Sequence, residues 1–303
     1  MTPADPQPAA SAVEDNGAHI RAAVLWMIGT LLSFIGMAVA ARELSATLDP
    51  LQIVFLRTSV GLVIVLVIAA RLGRARFRTR RLGFHLTRNL VHYGANFLWI
   101  AGIGMIPLAQ VFALEFTIPI WLAIFAVIFL GEKITLGKLM VIVLGFGGVL
   151  IILRPGVVPI EMGSLAVLGA SIGFAAANVM VKALSRTDSS FNVVFYMFII
   201  QWPIGILGAA LTWITPAPGD VPWIVLVGVT ALTAHYCMAK ALSLADATLV
   251  IPIDFLRLPM IVVIGMVFYA EPFSPFILFG AVLIFAGNYY NIRTESRAAQ
   301  TVR

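Results

Sequence analysis

The chain has 303 residues, of which 61% are hydrophobic and only 11% are charged, and its formal net charge is +6. Soluble domains are close to half apolar and a quarter charged, so this composition excludes a soluble protein and indicates an integral membrane protein. The net positive charge does not indicate a nucleic-acid partner, because most basic residues lie between apolar segments, where they orient a protein in a membrane. The single cysteine, Cys237, excludes an intramolecular disulfide.

The two ends of the chain predict tails. Residues 1–18 are rich in proline, alanine, serine and acidic residues, a composition that predicts a disordered cytoplasmic tail. They lack the basic and then apolar regions of a signal peptide, so we expect the first apolar segment to be retained. Residues 294–303 predict a second cytoplasmic tail.

Between the tails lie ten apolar segments. A helix needs about 20 apolar residues to cross the hydrocarbon core of a bilayer. The predicted spans are 22–41, 51–70, 89–106, 109–130, 136–153, 164–183, 191–213, 222–242, 247–269 and 275–292. We therefore predict an all-α integral membrane protein with ten transmembrane helices.

Lysine and arginine predict the orientation of these helices. If the N-terminus is cytoplasmic, sixteen of the twenty basic residues fall on the cytoplasmic side, including Arg88 at the end of the basic run 71–88. Only Arg42 and Arg154 fall outside, and two more lie within spans. This bias predicts a multi-pass protein of the inner membrane with both termini inside. The sequence leaves the oligomeric state open, with a homodimer as one option.

The second half of the chain repeats features of the first at an offset of 140 residues. Three pairs show it: Arg42 with Lys182, Pro119 with Pro259, and Gly147 with Gly287. The predicted repeats are 20–153 and 160–293, each with five spans. An odd number of crossings makes the second repeat inverted relative to the first. Inverted repeats are typical of alternating-access transporters, with the binding site where the repeats meet.

Short motifs in both halves resemble a known family. They are Pro107-Leu108-Ala109-Gln110, Phe116-Thr117-Ile118-Pro119, Leu130-Gly131-Glu132, Ala245-Asp246-Ala247 and Ala270-Glu271. Their order and duplication resemble the EamA-like family of the drug/metabolite transporter superfamily. The resemblance implies a ten-helix carrier of two inverted repeats that moves amino acids, nucleotide-linked metabolites, vitamins or drugs, often with proton or exchange coupling. The pair His235-Tyr236 has no counterpart in the third span, so substrate and coupling are expected to differ more than the fold.

Four ionisable residues lie within predicted spans, where a charge is costly and indicates function by default. Arg57 and Glu115 each lie about 10 Å from the outer face on different helices, so we predict that they pair. Such a pair is either a structural ion pair, or an outer gate or a substrate-carboxylate site with Arg57 as the group that binds the anion. Asp254 and Arg257 are three residues apart on one helix face and are predicted to pair near the midplane.

Further candidates are polar or aromatic residues inside spans. His235 suits a proton relay, or else a hydrogen bond between helices. Trp99 and Tyr236 are candidates to stack on a flat substrate, although aromatic residues also anchor helices at the interface. Asn178 either faces the cavity or bonds within the bundle. Together with the four charges, these residues form the predicted binding or coupling site.

The predicted function is secondary active transport of a small polar metabolite, amino-acid-like or zwitterionic, with proton or exchange coupling as options. The alternative cargo is a flat aromatic vitamin such as riboflavin. A membrane-embedded enzyme or a scaffold is the alternative from another class. The sequence has no paired catalytic carboxylates, zinc-ligand spacing or Walker motif, so neither enzymatic activity nor a cofactor or metal is expected.

Overall fold

The computed structural model describes residues 7–72, 79–184, 186–245 and 247–301. These ranges contain twelve α-helices, one short 3-10 turn at Pro218–Asp220 and no named β-strand. The helices are α1 Gln7–Leu44, α2 Pro50–Leu72, α3 Leu82–Met105, α4 Leu108–Glu115, α5 Ile118–Leu130, α6 Leu136–Leu153, α7 Met162–Leu184, α8 Ser190–Leu211, α9 Val221–Leu244, α10 Ala247–Asp254, α11 Arg257–Tyr269 and α12 Pro275–Thr301. Asp246 and part of the basic run 71–88 lie outside the described residues.

The helices account for the ten predicted crossings. Within the described ranges, nine stretches are long and apolar enough to cross a membrane, with α4 and α5 together forming one of them. The tenth crossing is α3, whose polar side chains lower its hydropathy and are largely buried within the protein. Its 24 residues give a helix about 36 Å long, which is sufficient to cross the bilayer. The placement of both termini on the cytoplasmic side stays a prediction.

The structure describes helix over most of each predicted tail, while the disorder of residues 1–18 and the cytoplasmic placement of both tails stay predictions. Helix α1 begins at Gln7, and helix α12 continues to Thr301, so most of each predicted tail is helical. Residues 1–18 contain five alanines and residues 294–303 contain two, and alanine has the highest helix propensity. Each tail also adjoins a membrane helix, which supplies a nucleus. Residues 1–6 and 302–303 lie outside the described residues.

The fourth and ninth crossings are broken, whereas the sequence predicted continuous helices over 109–130 and 247–269. Helix α4 ends at Glu115 and α5 begins at Ile118, while α10 ends at Asp254 and α11 begins at Arg257. The cause is proline: Pro119 and Pro259 follow the breaks and provide no N–H for the preceding helical turn. The two breaks occupy matching places in the two repeats, and broken membrane helices persist where they face protein or a cavity.

Helix packing has the symmetry expected of two related repeats. The contact between α1 and α9 has a counterpart in the contact between α3 and α7. The contact between α2 and α9 likewise has a counterpart in the contact between α3 and α8. Two further pairs join equivalent helices of the two repeats: α2 with α8, and α6 with α12. Exchanging the repeats leaves these pairings unchanged. In addition, α4 of the first repeat contacts α11 of the second. The broken helices α4–α5 and α10–α11 therefore meet where the repeats meet, which positions their break residues for a shared site.

The contact between α6 and α12 depends on two glycines, and this gives a stability prediction. A Cβ atom at Gly148 would lie 2.5 Å from the carbonyl oxygen of Gly280, and one at Gly280 would lie 2.6 Å from that of Gly148. Backbone cannot move aside as a side chain can, so Gly148→Ala or Gly280→Ala should force the helices apart and cost about 1–3 kcal/mol. The measurement is the temperature at which purified protein loses its monodisperse form in detergent.

Gly83→Ala is the matched control for these variants, because a Cβ at Gly83 meets nothing within 4 Å. Alanine also favours a helix more than glycine does, so this control should melt at the wild-type temperature or slightly above it. Equal melting temperatures for the control and the two interface variants would contradict close packing of α6 on α12.

Candidate functional site

Three charged residues meet where the two helix breaks face each other. Glu115 ends α4, Asp254 ends α10 and Arg257 begins α11. The Arg257 Nη2 atom lies 3.4 Å from Glu115 Oε1 and 3.3 Å from Asp254 Oδ2. The indole Nε1 of Trp99 on α3 donates a hydrogen bond of 2.7 Å to Glu115 Oε2. The predicted pairing of Asp254 with Arg257 is confirmed, and Glu115 from the other repeat joins it.

Aromatic rings surround this charge cluster. The Arg257 guanidinium lies 4.4 Å from the ring centroid of Phe34, 4.9 Å from Phe112 and 5.1 Å from Phe116. The faces of these rings are electron-rich and stabilise a buried cation. The ring of Phe116 stacks on that of Phe255 with centroids 4.2 Å apart and planes 21° apart, so the two helix breaks touch through these rings. We call the following six residues the central site: Trp99, Glu115, Phe116, Asp254, Phe255 and Arg257.

Polar atoms of the central site remain unsatisfied. Among the described residues, Asp254 Oδ1 and the Nε and Nη1 atoms of Arg257 have no hydrogen-bond partner. Arg257 is 3% exposed and Glu115 is 8% exposed, so these charges are largely removed from water. Two carboxylates and one guanidinium give the cluster a formal net charge of −1. Buried polar groups of this kind are costly unless paired, which makes them available to a ligand.

The free carbonyl groups at the first break have partners. The Asn288 amide on α12 donates to the Phe116 carbonyl oxygen at 3.4 Å. The Leu114 carbonyl oxygen accepts hydrogen bonds from Thr117 Oγ1 at 2.6 Å and from Ser171 Oγ at 3.2 Å. These side chains replace backbone hydrogen bonds that the interrupted helix lacks. The break is therefore held in a fixed geometry by α7 and α12.

The predicted pairing of Arg57 with Glu115 is wrong. Glu115 pairs with Arg257 because α4 packs against α11, whereas α2, which carries Arg57, packs against α8 and α9. Equal depth in the membrane did not bring the two side chains together, because they lie on helices in different parts of the bundle. The contact of Arg57 is instead a long one of 3.9 Å from Nη1 to Met37 Sδ.

The remaining predicted site residues divide into near and distant ones. The ring of His235 meets Phe34 edge to face at 5.8 Å, and Phe34 in turn contacts Arg257, so His235 borders the central site. Tyr236 points elsewhere and meets Trp26 at 5.7 Å. Asn178 on α7 is exposed. Of the eight predicted residues, Trp99, Glu115, Asp254 and Arg257 are brought into contact.

A buried group of polar side chains on α3 and α8 lies outside the predicted site residues. Arg88 was assigned to the cytoplasmic side, yet it is buried in α3 and its Nη1 donates to Asn89 Oδ1 at 2.9 Å. Gln201 Nε2 lies 3.2 Å from the same oxygen and 3.0 Å from His92 Nδ1, which also contacts the Asn96 amide at 2.9 Å. The signal was the four-residue spacing of Arg88, His92 and Asn96, which places them on one helix face.

One end of the protein is closed by an ion pair between the repeats. Arg42 at the end of α1 pairs with Glu271 after α11, and their side chains are 19% and 11% exposed. Arg42 Nη2 also donates to the Ile106 carbonyl at 2.8 Å, while the Glu271 carboxylate accepts the Leu108 N–H at 2.9 and 3.1 Å. We call Arg42 and Glu271 the first seal. It ties the ends of α1 and α11 to the start of α4.

The opposite end has a looser counterpart. Lys182 of the second repeat corresponds to Arg42 of the first, and Glu132 of the first repeat corresponds to Glu271 of the second. We call Glu132 and Lys182 the second seal. Their closest atoms are 3.7 Å apart, and the Lys182 side chain is 68% exposed. A hydrogen bond from Lys138 at 2.7 Å lowers the pKa of Glu132. A cleft of about 360 Å³ opens here, lined by Phe129, Glu132, Val179, Lys182, Ala183 and Arg186.

The described residues contain no group of histidine, cysteine and acidic side chains able to hold a metal ion.

Comparison with known proteins identifies the family of the chain. The EamA-like transporter family matches residues 21–154 and again residues 161–293. One solved crystal structure has the same fold, with a TM-score of 0.64, 16% identity, and coverage of 91% of this chain and 98% of that chain.

Curated relatives are named as transporters of different compounds. A riboflavin transporter of Brucella anthropi is 33% identical over 258 residues, covering 82% of this chain and 90% of the relative. An S-adenosylmethionine uptake transporter of Rickettsia bellii is 26% identical over 273 residues, covering 90% and 94%. The family assignment and the membrane helices together show a multi-pass inner membrane protein. The chain is a transporter of the EamA-like family, within the drug/metabolite transporter superfamily.

Proposed function

We propose that this transporter carries a small metabolite with a flat heteroaromatic ring and polar groups, by alternating access between its two repeats. The observation that carries the proposal is the stacked pair Phe116 and Phe255 beside the charges of Glu115, Asp254 and Arg257. Phe255 is only half-buried, so part of its ring remains available to a ligand ring. Stacking on such a ring is worth about 0.5–1.5 kcal/mol beyond the area it buries.

The relatives support this class of cargo. Riboflavin and S-adenosylmethionine, named in the relatives at 33% and 26% identity, both contain a flat nitrogen heterocycle attached to a polar chain. The unsatisfied Asp254 Oδ1 can accept a hydrogen bond from such a chain, and the unsatisfied Arg257 Nη1 can donate one. The net charge of −1 favours a hydroxyl, amine or cationic group over a second carboxylate near Asp254.

An amino-acid-like zwitterion is the second candidate. A guanidinium and two carboxylates in one buried site can bind a carboxylate and an ammonium group at once. An enzyme or scaffold is not proposed, since the relatives are named transporters. No nucleic-acid partner is proposed either. A homodimer remains a prediction, which a mass measurement in detergent will test.

Flux measurements in liposomes separate the two candidates. We expect radiolabelled riboflavin or S-adenosylmethionine to enter liposomes that contain the purified protein, and methionine, as the amino-acid probe, to enter much more slowly. A run with and without a proton gradient tests coupling. Rapid methionine flux with no flux of either aromatic compound would establish the second candidate instead.

Phe255→Leu tests the aromatic wall directly. Leucine retains apolar bulk but removes the ring face, so flux of the aromatic cargo at low concentration should fall roughly two- to tenfold, as expected from the loss of stacking. Phe279→Leu, on the exposed face of α12, is the matched control and should transport normally. If Phe255→Leu transports like the control, the ring does not bind the cargo.

Alternating access requires that the two ends close in turn. We infer that Arg42 and Glu271 of the first seal separate when Glu132 and Lys182 of the second seal come closer together, since both pairs connect equivalent ends of the two repeats. We infer that the structure is the state in which the first seal is closed and the second seal is the looser of the two. With the orientation that the basic residues predict, this state faces the cytoplasm.

A further inference from the structure

A surface cleft beside the second seal lies between the end of α5 and the end of α7. Its volume is about 360 Å³, within the range of small-molecule sites, which is roughly 300–1,000 Å³. Its described lining residues all lie in the last turns of these two helices or directly after them. None of them belongs to the central site, so the cleft is a separate feature of the surface.

The cleft combines an apolar wall with a cationic rim. On the wall, Phe129 is 71% exposed, and Val179 is half-buried about one turn before Lys182. On the rim, the Lys182 side chain is 68% exposed, and Arg186 is also exposed. An exposed apolar residue near the end of a membrane helix faces hydrocarbon, and a basic residue beyond it reaches the headgroups. The cleft therefore follows the order of an acyl chain and its headgroup.

The acidic lining residue does not neutralise this rim. Glu132 Oε2 accepts a hydrogen bond of 2.7 Å from Lys138, which is not among the lining residues. The contact of Glu132 with Lys182 is longer, at 3.7 Å from Oε1 to Nζ. With the Glu132–Lys138 pair taken as neutral, Lys182 and Arg186 give the cleft a formal charge of +2. A positively charged cleft of this kind attracts an anion.

Other charged groups at this end of the protein add to the positive character. Arg81, at the start of α3, donates from Nη1 to the Ala183 carbonyl oxygen at 3.3 Å, which places a third exposed cation beside the rim. Asp188 is the next acid along the chain after α7, and it is 7% exposed. Its carboxylate lies 3.6 Å from His85 and accepts a hydrogen bond of 2.9 Å from Thr187, so it is already engaged inside the protein.

We propose that this cleft binds an anionic phospholipid, whose phosphate contacts Lys182 and Arg186 and whose acyl chain lies along Phe129 and Val179. Basic pockets between membrane helices bind such headgroups, and each nearby cation strengthens the binding. The exposed apolar wall selects a lipid over a soluble phosphate, which has no apolar part. With the orientation that the basic residues predict, the lipid comes from the cytoplasmic leaflet.

A bound lipid acts on the second seal. Its phosphate competes with Glu132 for Lys182, and the contact between these two residues is long and exposed, so it is weak. Glu132 stays compensated by Lys138 when Lys182 is drawn away. Anionic lipid therefore keeps the second seal loose and changes the rate at which that end closes. This consequence rests on the alternating closure proposed above, whereas binding of the lipid does not.

Native mass spectrometry of the full chain tests binding directly. Protein in a mild detergent is titrated with phosphatidylglycerol, or with phosphatidylcholine of the same chain length, and the bound lipids are counted. We expect phosphatidylglycerol to bind more tightly, and Lys182→Gln combined with Arg186→Gln to weaken its binding about tenfold. The control, Arg71→Gln with Arg293→Gln, removes two exposed cations outside the cleft and should bind like the wild type. Equal binding by the two double variants would overturn the proposal.

The apolar wall distinguishes a lipid from a free phosphate. Phe129→Ser should weaken phosphatidylglycerol binding severalfold, whereas Phe279→Ser, at a similarly exposed position of α12, should not. Inorganic phosphate at millimolar concentration should not displace the lipid. Displacement by phosphate, or unchanged binding in Phe129→Ser, would assign the cleft to a soluble anion and overturn the lipid proposal.

Flux in liposomes tests the effect on the second seal. Replacing part of the phosphatidylcholine by phosphatidylglycerol should change riboflavin or S-adenosylmethionine flux severalfold in the wild type and the control double variant. It should not change flux when Lys182 and Arg186 are both glutamine, and the same lipid dependence in both double variants would refute the effect. Absence of flux for either compound would refute the proposed cargo and leave the binding result intact. Flux without a preference for phosphatidylglycerol in the mass measurement would refute the lipid site alone.

Discussion

Arg257→Gln is expected to abolish transport. The guanidinium of Arg257 is the single cation between Glu115 and Asp254 in the central site, and its removal leaves two carboxylates close together in a buried environment. Breaking a buried ion pair by removing one partner costs about 3–5 kcal/mol, because the remaining charge is uncompensated. We expect flux in liposomes to fall below one hundredth of the wild-type rate and the melting temperature in detergent to fall as well.

A double variant separates the loss of folding from the loss of transport. Arg257→Gln combined with Asp254→Asn removes one of the two carboxylates that Arg257→Gln leaves unpaired, so it should regain part of the melting temperature while Glu115 stays uncompensated. It should not regain flux, because the groups that bind the cargo are gone. Arg293→Gln, at an exposed position of α12, is the control and should transport normally. Flux that returns together with stability would reduce Arg257 to a structural role.

The fold was largely predictable because most crossings leave a separate apolar signal. Length and hydropathy define a membrane helix locally, and the duplication of Pro119 as Pro259 is visible in the sequence. The breaks before these prolines were not predicted, although proline disfavours the helix that precedes it. Prolines often only kink membrane helices, and the partners that stabilise a true break, such as Asn288, come from distant helices.

The site was only partly predictable, for a physical reason. Asp254 and Arg257 pair within one chain segment, so their spacing was enough. The partner of Glu115 depends on which helices pack together, and depth in the membrane does not determine that, so Arg57 was the wrong choice. Arg88 was counted only among the residues that set topology, because it is a basic residue beside a predicted loop. Burial of that side chain is visible only in the folded bundle.

Exchanging the charges of the first seal is the second large test. Arg42→Glu and Glu271→Arg each place two like charges at the closed end, so each single variant should destabilise the state in which that end is closed. Hydrogen bonds to charged groups contribute about 1.5–3 kcal/mol, enough to shift the equilibrium between the two states tenfold or more. Flux should fall accordingly. A cysteine probe at Ala109, which lies beside Glu271, in a Cys237→Ser background, should become more reactive to an impermeant maleimide from the first-seal end.

The double exchange, Arg42→Glu with Glu271→Arg, restores opposite charges and should recover part of both properties. Recovery will be incomplete, because an arginine at position 271 cannot accept the N–H of Leu108 as the carboxylate does. Lys182→Gln is the matched variant at the second seal. It should leave the melting temperature nearly unchanged, since the Glu132–Lys182 contact is long and exposed in this state, and such pairs contribute little. If the double exchange is as impaired as the single variants, the seal acts through the shape of its side chains, and charge pairing does not control closure at that end.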